Sequence, residues 1–140
     1  MTQFILVRHA NPDYTLAEKE GYNKDVAPLS EIGIQQAIEL SKDNIFKEAD
    51  VLVTSPFMRA KETAMYISLE NNLPIYIENN LKRSKFNLEM LETRTLAKRS
   101  LNKYLHHSKV IVVTHAEVIL FLTGKWLQQG TYMQWEYNGK

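Results

Sequence analysis

The stretch FILVRHANP, Phe4 to Pro12, decides the predicted fold of this 140-residue chain. Four apolar residues run without interruption and stop at Arg8 and His9. A continuous apolar run predicts a strand that is buried on both faces, which is typical of a parallel sheet. Ligands of open α/β sheets bind just outside the carboxyl ends of such strands. Arg8 and His9 therefore occupy a position where chemistry is expected.

The rest of the chain alternates short apolar strands with helical segments. Strands are predicted at residues 3–8, 51–53, 73–77 and 110–113. Helices are predicted from the N-cap Ser30, from Pro56 in a first turn, over 88–105 and over 116–122. The polar segments 10–28 and 79–87 are predicted to be loops, and the tail 131–137 is a candidate edge strand. This alternation predicts a single three-layer α/β/α domain over residues 1–140, with a mostly parallel sheet.

Three details refine this prediction. Pro74 near the start of the third strand places that strand towards an edge of the sheet. Gly33 matches the small-residue position of a turn that enters a helix. The aromatic side chains of the tail region are expected to cover the sheet edge rather than to bound a pocket: Trp126, Trp135 and Tyr137.

Composition and charge exclude several classes of function. The chain has 17 basic and 16 acidic residues, a net charge of +1, so no general attraction to nucleic acid or to an anionic membrane is expected. It has no cysteine, which excludes thiolate catalysis, disulfides and cysteine-ligated metals. No signal-peptide pattern and no membrane-length apolar run are present, and we therefore expect a cytoplasmic location.

Cationic side chains follow two further strands. Arg59 lies one helical turn past Ser55, after the second strand, and His115 follows the fourth. Because parallel strands end at the same edge of a sheet, these side chains could converge with Arg8 and His9. Two arginines and two histidines around one point suit a doubly charged tetrahedral anion, since arginine offers phosphate a planar fork of donors. The sequence therefore predicts a phosphate site.

Four ordered motifs carry a resemblance to a known family. They are ILVRHA, LSEIGIQQA at Leu29–Ala37, SPFMRAKETA at Ser55–Ala64 and VIVVTHAEV at Val110–Val118. They resemble the Arg-His-Gly strand end, the Leu-Thr-x-x-Gly-x-x-Gln-Ala block, the Ser-(Ser/Pro)-x-x-Arg-Ala-x-Gln-Thr-Ala helix start and the Val-x-His-Gly strand end of the histidine phosphatase superfamily. The chain is identified as a phosphoglycerate mutase-like member that is short and lacks the usual lid insertion.

The resemblance implies a role for each residue of the predicted site. His9 would be the nucleophile that accepts the phosphoryl group, and Arg8, Arg59 and His115 would hold the phosphate oxygens. Asn11 lies where the family often adds a polar contact to phosphate. A histidine nucleophile must be neutral with one ring nitrogen unprotonated, which requires an acceptor for the other N–H. No metal and no other cofactor is expected.

The chain departs from the family pattern at the general acid. One branch places the acid after the third strand, in Asp-x-x-Leu-x-Glu; here Glu78 and Leu81 match, and Arg83 stands in place of the acid. The other branch places an Asp directly after the second histidine, where this chain has Ala116. Glu117, one position further on, is the first candidate for the missing acid. Three other carboxylates are alternatives, although each would ordinarily be a solvated side chain: Glu89, Glu92 and Asp13.

Three functions are consistent with this pattern. The first is a phosphatase that hydrolyses a phosphomonoester or phosphoramidate through a phosphohistidine intermediate on His9. The second is a catalytically weak or inactive member that binds phosphorylated ligands, with Arg83 replacing the acid. The third, ranked last, is a phosphoglycerate mutase. The expected partner is a phosphorylated small molecule or a phosphoprotein, and a site without a lid suits a bulky substrate.

Overall fold

A computed structural model describes residues 1–82 and 90–140 of the chain. Its strands are β1 (Thr2–Arg8), β2 (Val51–Thr54), β3 (Ile75–Ile77), β4 (Lys109–Thr114) and β5 (Tyr132–Tyr137). Its helices are α1 (Thr15–Glu20), α2 (Glu31–Ser41), α3 (Met58–Asn71), α4 (Met90–Asn102) and α5 (Ala116–Thr123). Within this part of the chain the strands form one sheet in the order β3-β2-β4-β1-β5.

The sheet is parallel except at one edge. β1 pairs with β4, β4 with β2 and β2 with β3 in parallel, whereas β5 pairs with β1 in the antiparallel sense. The predicted α/β fold with a mostly parallel sheet is confirmed, and so is the predicted edge strand in the tail. β3 lies at the opposite edge, as Pro74 predicted.

Both faces of the sheet are covered by helices, which explains the uninterrupted apolar run of β1. Phe4 and Leu6 contact one core cluster, whereas Ile5 and Val7 contact the other, and all four are completely buried. The first cluster contains side chains of α4 and α5, namely Ala97, Leu101, Val118, Ile119 and Leu122. The second contains side chains of α3, namely Ala60, Ala64 and Ile67. Burial of each large strand side chain stabilises the fold by about 1.5–3 kcal/mol.

The segment predicted to be a loop over 10–28 contains regular structure. Helix α1 occupies its middle, and Gly21, with a φ of 77°, ends that helix. A 3₁₀ turn follows at Lys24–Val26. The composition concealed the helix because the segment is polar and contains two prolines, yet both prolines lie outside it. Helix α1 is short, with one buried side chain, Ala17, so its apolar pattern is weak.

Two predicted boundaries also need correction. Pro56 is not in the first turn of α3, because Phe57 keeps an extended backbone and the helix begins at Met58. The Ser55 hydroxyl accepts a hydrogen bond from the Phe57 N–H at 3.2 Å, which holds Phe57 outside the helix. The predicted helix over 88–105 ends at Asn102 in the structure, and its first two residues lie outside the described part of the chain.

Aromatic side chains of β5 cover the edge of the sheet that lies opposite β3. The rings of Trp135 and Tyr137 stack 4.9 Å apart, and each ring centroid lies 6.0 Å from that of Phe4. Their predicted position at the sheet edge is therefore confirmed. Of the helices in residues 1–82 and 90–140, none has the length and apolar character needed to cross a membrane.

Helix α2 begins against the loop that follows β1. Ser30 is the N-cap, as predicted, and its hydroxyl accepts a hydrogen bond from the Gly33 N–H at 3.0 Å. The same hydroxyl donates to the side-chain oxygen of Asn11 at 2.7 Å. A Cβ atom on Gly33 would lie 2.0 Å from the Asn11 carbonyl oxygen. Only glycine allows this close approach, which positions Asn11 beside His9.

We expect Gly33→Ala to lower the free energy of unfolding by about 2 kcal/mol, because the methyl group forces α2 away from Asn11 and overpacking typically costs about 1–3 kcal/mol. Urea denaturation measures the change. Gly124→Ala is the matched control: φ there is 79° and the new Cβ has no neighbour within 4 Å, so only about 1 kcal/mol of backbone strain is expected. A Gly33→Ala protein no less stable than the wild type would contradict this packing.

Candidate active site

His9 follows β1 and is held in one tautomer by its own neighbour. Its Nδ1 lies 2.8 Å from the carbonyl oxygen of Ala10. A carbonyl oxygen can only accept a hydrogen bond, so Nδ1 carries the proton and, in the neutral ring, Nε2 carries the lone pair. The residue is 6% exposed. This is the state that a histidine nucleophile requires.

His115 follows β4 and faces His9 across the strand ends. The centroids of the two rings are 5.2 Å apart, and His115 is almost completely buried. Its Nε2 lies 2.8 Å from the hydroxyl oxygen of Ser55, which follows β2. The structure therefore joins the ends of three neighbouring strands, β1, β4 and β2, through two direct side-chain contacts.

Arg59 reaches the same place from the first turn of α3. It is 2% exposed, and its guanidinium carbon lies 5.1 Å from the centre of the Phe57 ring. The centroid of the same ring is 5.2 Å from that of the His115 ring, so Phe57 contacts both the arginine and the histidine. The Nε atom of Arg59 is buried and has no hydrogen-bond partner among the described residues. A buried guanidinium with an unused donor is suited to an anionic ligand.

A carboxylate that the sequence did not predict contacts this arginine. Arg59 Nη1 donates to Asp25 Oδ1 at 3.4 Å, and the Asp25 side chain is 24% exposed. Asp25 belongs to the 3₁₀ turn inside the segment predicted to be a loop. From the same segment, the centre of the Tyr14 ring lies 5.9 Å from the guanidinium carbon of Arg59. An acidic residue in a polar segment carries no signal of its own, because the path of the segment depends on tertiary contacts.

Arg8 is held by the connection between α5 and β5. Its Nη1 donates to the Leu127 carbonyl oxygen at 2.9 Å, and its guanidinium carbon lies 5.2 Å from the centre of the Trp126 ring. The expectation that Trp126 covers the sheet edge is therefore wrong: the ring is half exposed and contacts a predicted phosphate ligand. The Gly130 N–H donates to the carbonyl oxygens of Arg8 and His9, which fixes this connection against the end of β1.

Asn11 is oriented by contacts on both sides of its amide group. Its Nδ2 donates to Gln129 Oε1 at 2.9 Å, and its Oδ1 accepts from Ser30. The backbone N–H of Asn11 donates to Gln36 Oε1 at 2.9 Å. Among residues 1–82 and 90–140, Gln129 is the hydrogen-bond acceptor for Nδ2, which carries two protons, so the amide has a second donor for a ligand oxygen.

The candidate acids differ in their surroundings. Glu117 lies in the first turn of α5, two residues past His115, and is partly exposed. Asp13 is exposed, and hydrogen bonds from the side chain and backbone of Thr15 lower the pKa of its carboxyl group, so it holds a proton for donation less readily than an ordinary aspartate. Glu92 is exposed on α4. The predictions for Arg83 and Glu89 concern residues outside the described part of the chain.

Glu78, which matches the family Asp, has a structural role. Its carboxylate accepts hydrogen bonds from the Tyr104 hydroxyl at 2.7 Å and from Lys103 Nζ at 3.0 Å. Burial, together with the Glu78 carboxylate, raises the pKa of the Tyr104 phenol, which stays protonated and donates. Leu81, the matched leucine, is completely buried, and its carbonyl oxygen accepts from the Thr114 hydroxyl at 2.6 Å. Within residues 1–82 and 90–140, no group of three or more histidine and carboxylate side chains is placed to hold a metal ion.

Comparison with known proteins identifies the class to which this site belongs. A model of the histidine phosphatase superfamily (branch 1) matches residues 4–107. The chain therefore belongs to the histidine phosphatase superfamily, and the resemblance drawn from its motifs is confirmed. A relative described as an uncharacterized phosphatase, PhoE of Bacillus subtilis (strain 168), is 31% identical over an alignment of 146 positions, which spans 85% of this chain and 74% of the relative. The predicted enzyme class, a phosphatase, is thereby confirmed.

Solved structures share the fold at low sequence identity. A mycobacterial glucosyl-3-phosphoglycerate phosphatase in complex with VO3 has a TM-score of 0.76 at 13% identity, over 96% of this chain and 90% of that one. Bacillus stearothermophilus YhfR has a TM-score of 0.75 at 17% identity, over 96% of this chain and 90% of that one. The protein histidine phosphatase SixA in complex with tungstate has a TM-score of 0.68 at 19% identity, over 88% and 75%.

We expect neutral His9 to carry its proton on Nδ1, because the Ala10 carbonyl oxygen can only accept a hydrogen bond. Long-range ¹H–¹⁵N correlation spectra of protein labelled at histidine, recorded where the imidazoles are neutral, report the tautomer. His9→Ala assigns the signal. A proton on Nε2 of His9 would contradict the geometry and would leave Nε2 without the lone pair that attacks phosphorus.

Proposed function

We propose that the chain is a single histidine phosphatase-like domain that hydrolyses a phosphomonoester or phosphoramidate through a phosphohistidine intermediate on His9. The observation that carries this proposal is the orientation of His9, with Nδ1 held by Ala10 and the ring packed edge-on against His115. Arg8 directly precedes His9 in the chain, and Arg59 contacts the Phe57 ring that packs against His115. The three side chains that we assign to the phosphate oxygens are Arg8, Arg59 and His115.

The first step transfers the phosphoryl group to the enzyme. The lone pair on His9 Nε2 attacks phosphorus, a P–N bond forms, and the bond from phosphorus to the leaving oxygen or nitrogen breaks. The imidazole becomes cationic as the new bond forms, and the Ala10 carbonyl oxygen stabilises this charge through the Nδ1–H. Preorganised positive groups stabilise the charge on the phosphoryl oxygens without reorganising during the reaction.

The second step returns His9 to its starting state. A water molecule attacks phosphorus, the P–N bond breaks, the water gives up a proton to a base, and inorganic phosphate leaves. The electron pair of the broken bond returns to Nε2 of His9. The hydrogen bond between Nδ1 and Ala10 persists through both steps, so the ring does not need to rotate between them.

A general acid would protonate the leaving group in the first step and accept the proton of the attacking water in the second. We propose Glu117 for this role, because it lies in the turn that directly follows His115. General acid catalysis contributes roughly 10²–10⁴-fold, or about 3–5 kcal/mol. Alkyl phosphates have a basic leaving oxygen and need this contribution. Aryl phosphates and phosphohistidine need it less.

The substrate is proposed to be a phosphorylated protein side chain or a phosphorylated small molecule. The connection between β3 and β4, residues 78–108, contains one α-helix in its described part and lacks the length of the usual lid insertion. An open site admits a bulky substrate and suits a mutase poorly, since a mutase must retain a small phosphorylated acid during turnover. Among the proteins of the same fold, SixA is named a protein histidine phosphatase.

One observation favours a second function, the binding of phosphorylated ligands without turnover. The residue directly after His115 is Ala116, which is buried and has no carboxyl group. Without an acid the site would hold phosphate and release the leaving group slowly. The two functions differ in whether a phosphoenzyme forms.

We expect rapid-quench experiments with a ³²P-labelled aryl phosphate to trap an acid-labile phosphoenzyme, because the phosphoramidate on His9 survives in alkali and hydrolyses in acid. His9→Ala should abolish the labelling. The matched control is His106→Ala, an exposed histidine that precedes β4 and so lies at the other end of that strand. Binding of inorganic phosphate with no labelled intermediate would contradict the phosphatase and support the second function.

We expect Glu117→Gln to reduce kcat/KM on an alkyl phosphate by roughly 10²-fold or more, the contribution of a general acid. The same variant should change kcat/KM on dinitrophenyl phosphate by much less, since that leaving group departs without a proton. Glu136→Gln, on the exposed face of β5, is the control. An equal loss on both substrates would show that Glu117 is not the acid.

A further inference from the structure

The buried arginine of the site already has an anionic partner in the protein itself. Arg59 Nη1 contacts Asp25 Oδ1 at 3.4 Å. The Arg59 side chain is 3% exposed, whereas the Asp25 side chain is 24% exposed. This ion pair joins a residue of the predicted phosphate site to a carboxylate that solvent can reach. The pairing therefore sets the charge that an incoming phosphoryl group meets at Arg59.

The Asp25 carboxylate satisfies this guanidinium only in part. The contact is a single long one rather than a bidentate pair, and the buried Nε of Arg59 has no partner within residues 1–82 and 90–140. A phosphoryl group has several oxygens and can engage the planar fork through more than one donor. Phosphate is thus the better ligand for Arg59, and Asp25 occupies the position of a weaker one.

Asp25 and a bound phosphoryl group cannot both stay close to Arg59 without cost. A carboxylate and a phosphoryl dianion are like charges, and each disfavours the other at short distance. The hydrogen bonds within the Asp25 turn are local: the Asp25 N–H donates to the Asn23 side chain at 2.9 Å, and the Val26 N–H donates to the Asn23 carbonyl oxygen at 3.2 Å. The neighbouring Lys24–Glu18 pair is exposed and 3.8 Å long, and Val26 is 58% exposed. Such a turn can move at low cost.

We propose that Asp25 is an internal competitor for the phosphate site. It neutralises Arg59 in the ligand-free enzyme and is displaced when a phosphoryl group binds. Asp25 thereby acts through Arg59 as a specificity-determining residue: a doubly charged phosphoryl group can displace it, and a singly charged diester is disfavoured. The same competition promotes release of product phosphate. This inference rests on the phosphate site of the proposed function but on none of its chemical steps.

Calorimetric titration with inorganic phosphate tests the inference directly. Asp25→Asn keeps the shape of the side chain and removes its charge, and we expect it to bind phosphate about tenfold more tightly than the wild type, equivalent to about 1.4 kcal/mol. Asp25→Glu keeps the negative charge and should bind phosphate with the affinity of the wild type. Glu18→Gln removes an exposed carboxylate from the same segment and should leave the affinity unchanged. In turnover, Asp25→Asn should lower KM without raising kcat.

The direction of the change in phosphate affinity distinguishes the role of competitor from the other roles that Asp25 could have. A side chain that merely supports Arg59 would weaken phosphate binding when mutated, and a general acid would lower kcat on alkyl phosphates with unchanged affinity for phosphate. Either result overturns the inference, as does a failure of both wild type and Asp25→Asn to bind phosphate. Thermal unfolding verifies that each variant is folded. Tighter binding by Asp25→Asn without any phosphoenzyme would support Asp25 as the competitor and refute the proposed hydrolysis.

Discussion

The parallel pairing of β1 with β4 is the constraint on which the site depends. Arg8 lies opposite Thr114 in the register, and the His9 N–H donates to the Thr114 carbonyl oxygen at 3.1 Å. The residues that follow the two strands therefore leave the sheet side by side, which brings the ring centroids of His9 and His115 to 5.2 Å. A shift of one residue in the pairing of β1 with β4 would turn the side chains of the shifted strand to the opposite faces of the sheet and would separate the two histidines.

Much of this arrangement could be predicted, because it follows from short local patterns. The uninterrupted apolar run of β1 indicates two covered faces, and parallel strands end at one edge, so the sequence alone assigns His9, Arg59 and His115 to one place. Gly33 and Ser30 belong to a motif whose physical reason is the contact with Asn11. These predictions depend on strand polarity and close approach, both of which leave a signature in the sequence.

The rest could not be predicted, because it depends on where connecting segments lie. Asp25 reaches Arg59 because α1 and the turn that follows it bring the chain back over α3. Trp126 and Leu127 contact Arg8 because the connection between α5 and β5 lies against β1. No local pattern encodes such paths. The Asp25 carboxylate that contacts Arg59 lies in the polar segment 10–28, whose composition carried no signal for that contact.

The chain has a net charge of only +1, and its buried Arg59 is paired with Asp25. The most direct test of His9 as the nucleophile is a crystal structure of the complex with vanadate. We expect a bond between vanadium and Nε2 of His9, with vanadate oxygens contacting Arg59 and His115. Vanadate bound elsewhere, or held by the arginines without a bond to His9, would contradict the assignment of His9 as the nucleophile.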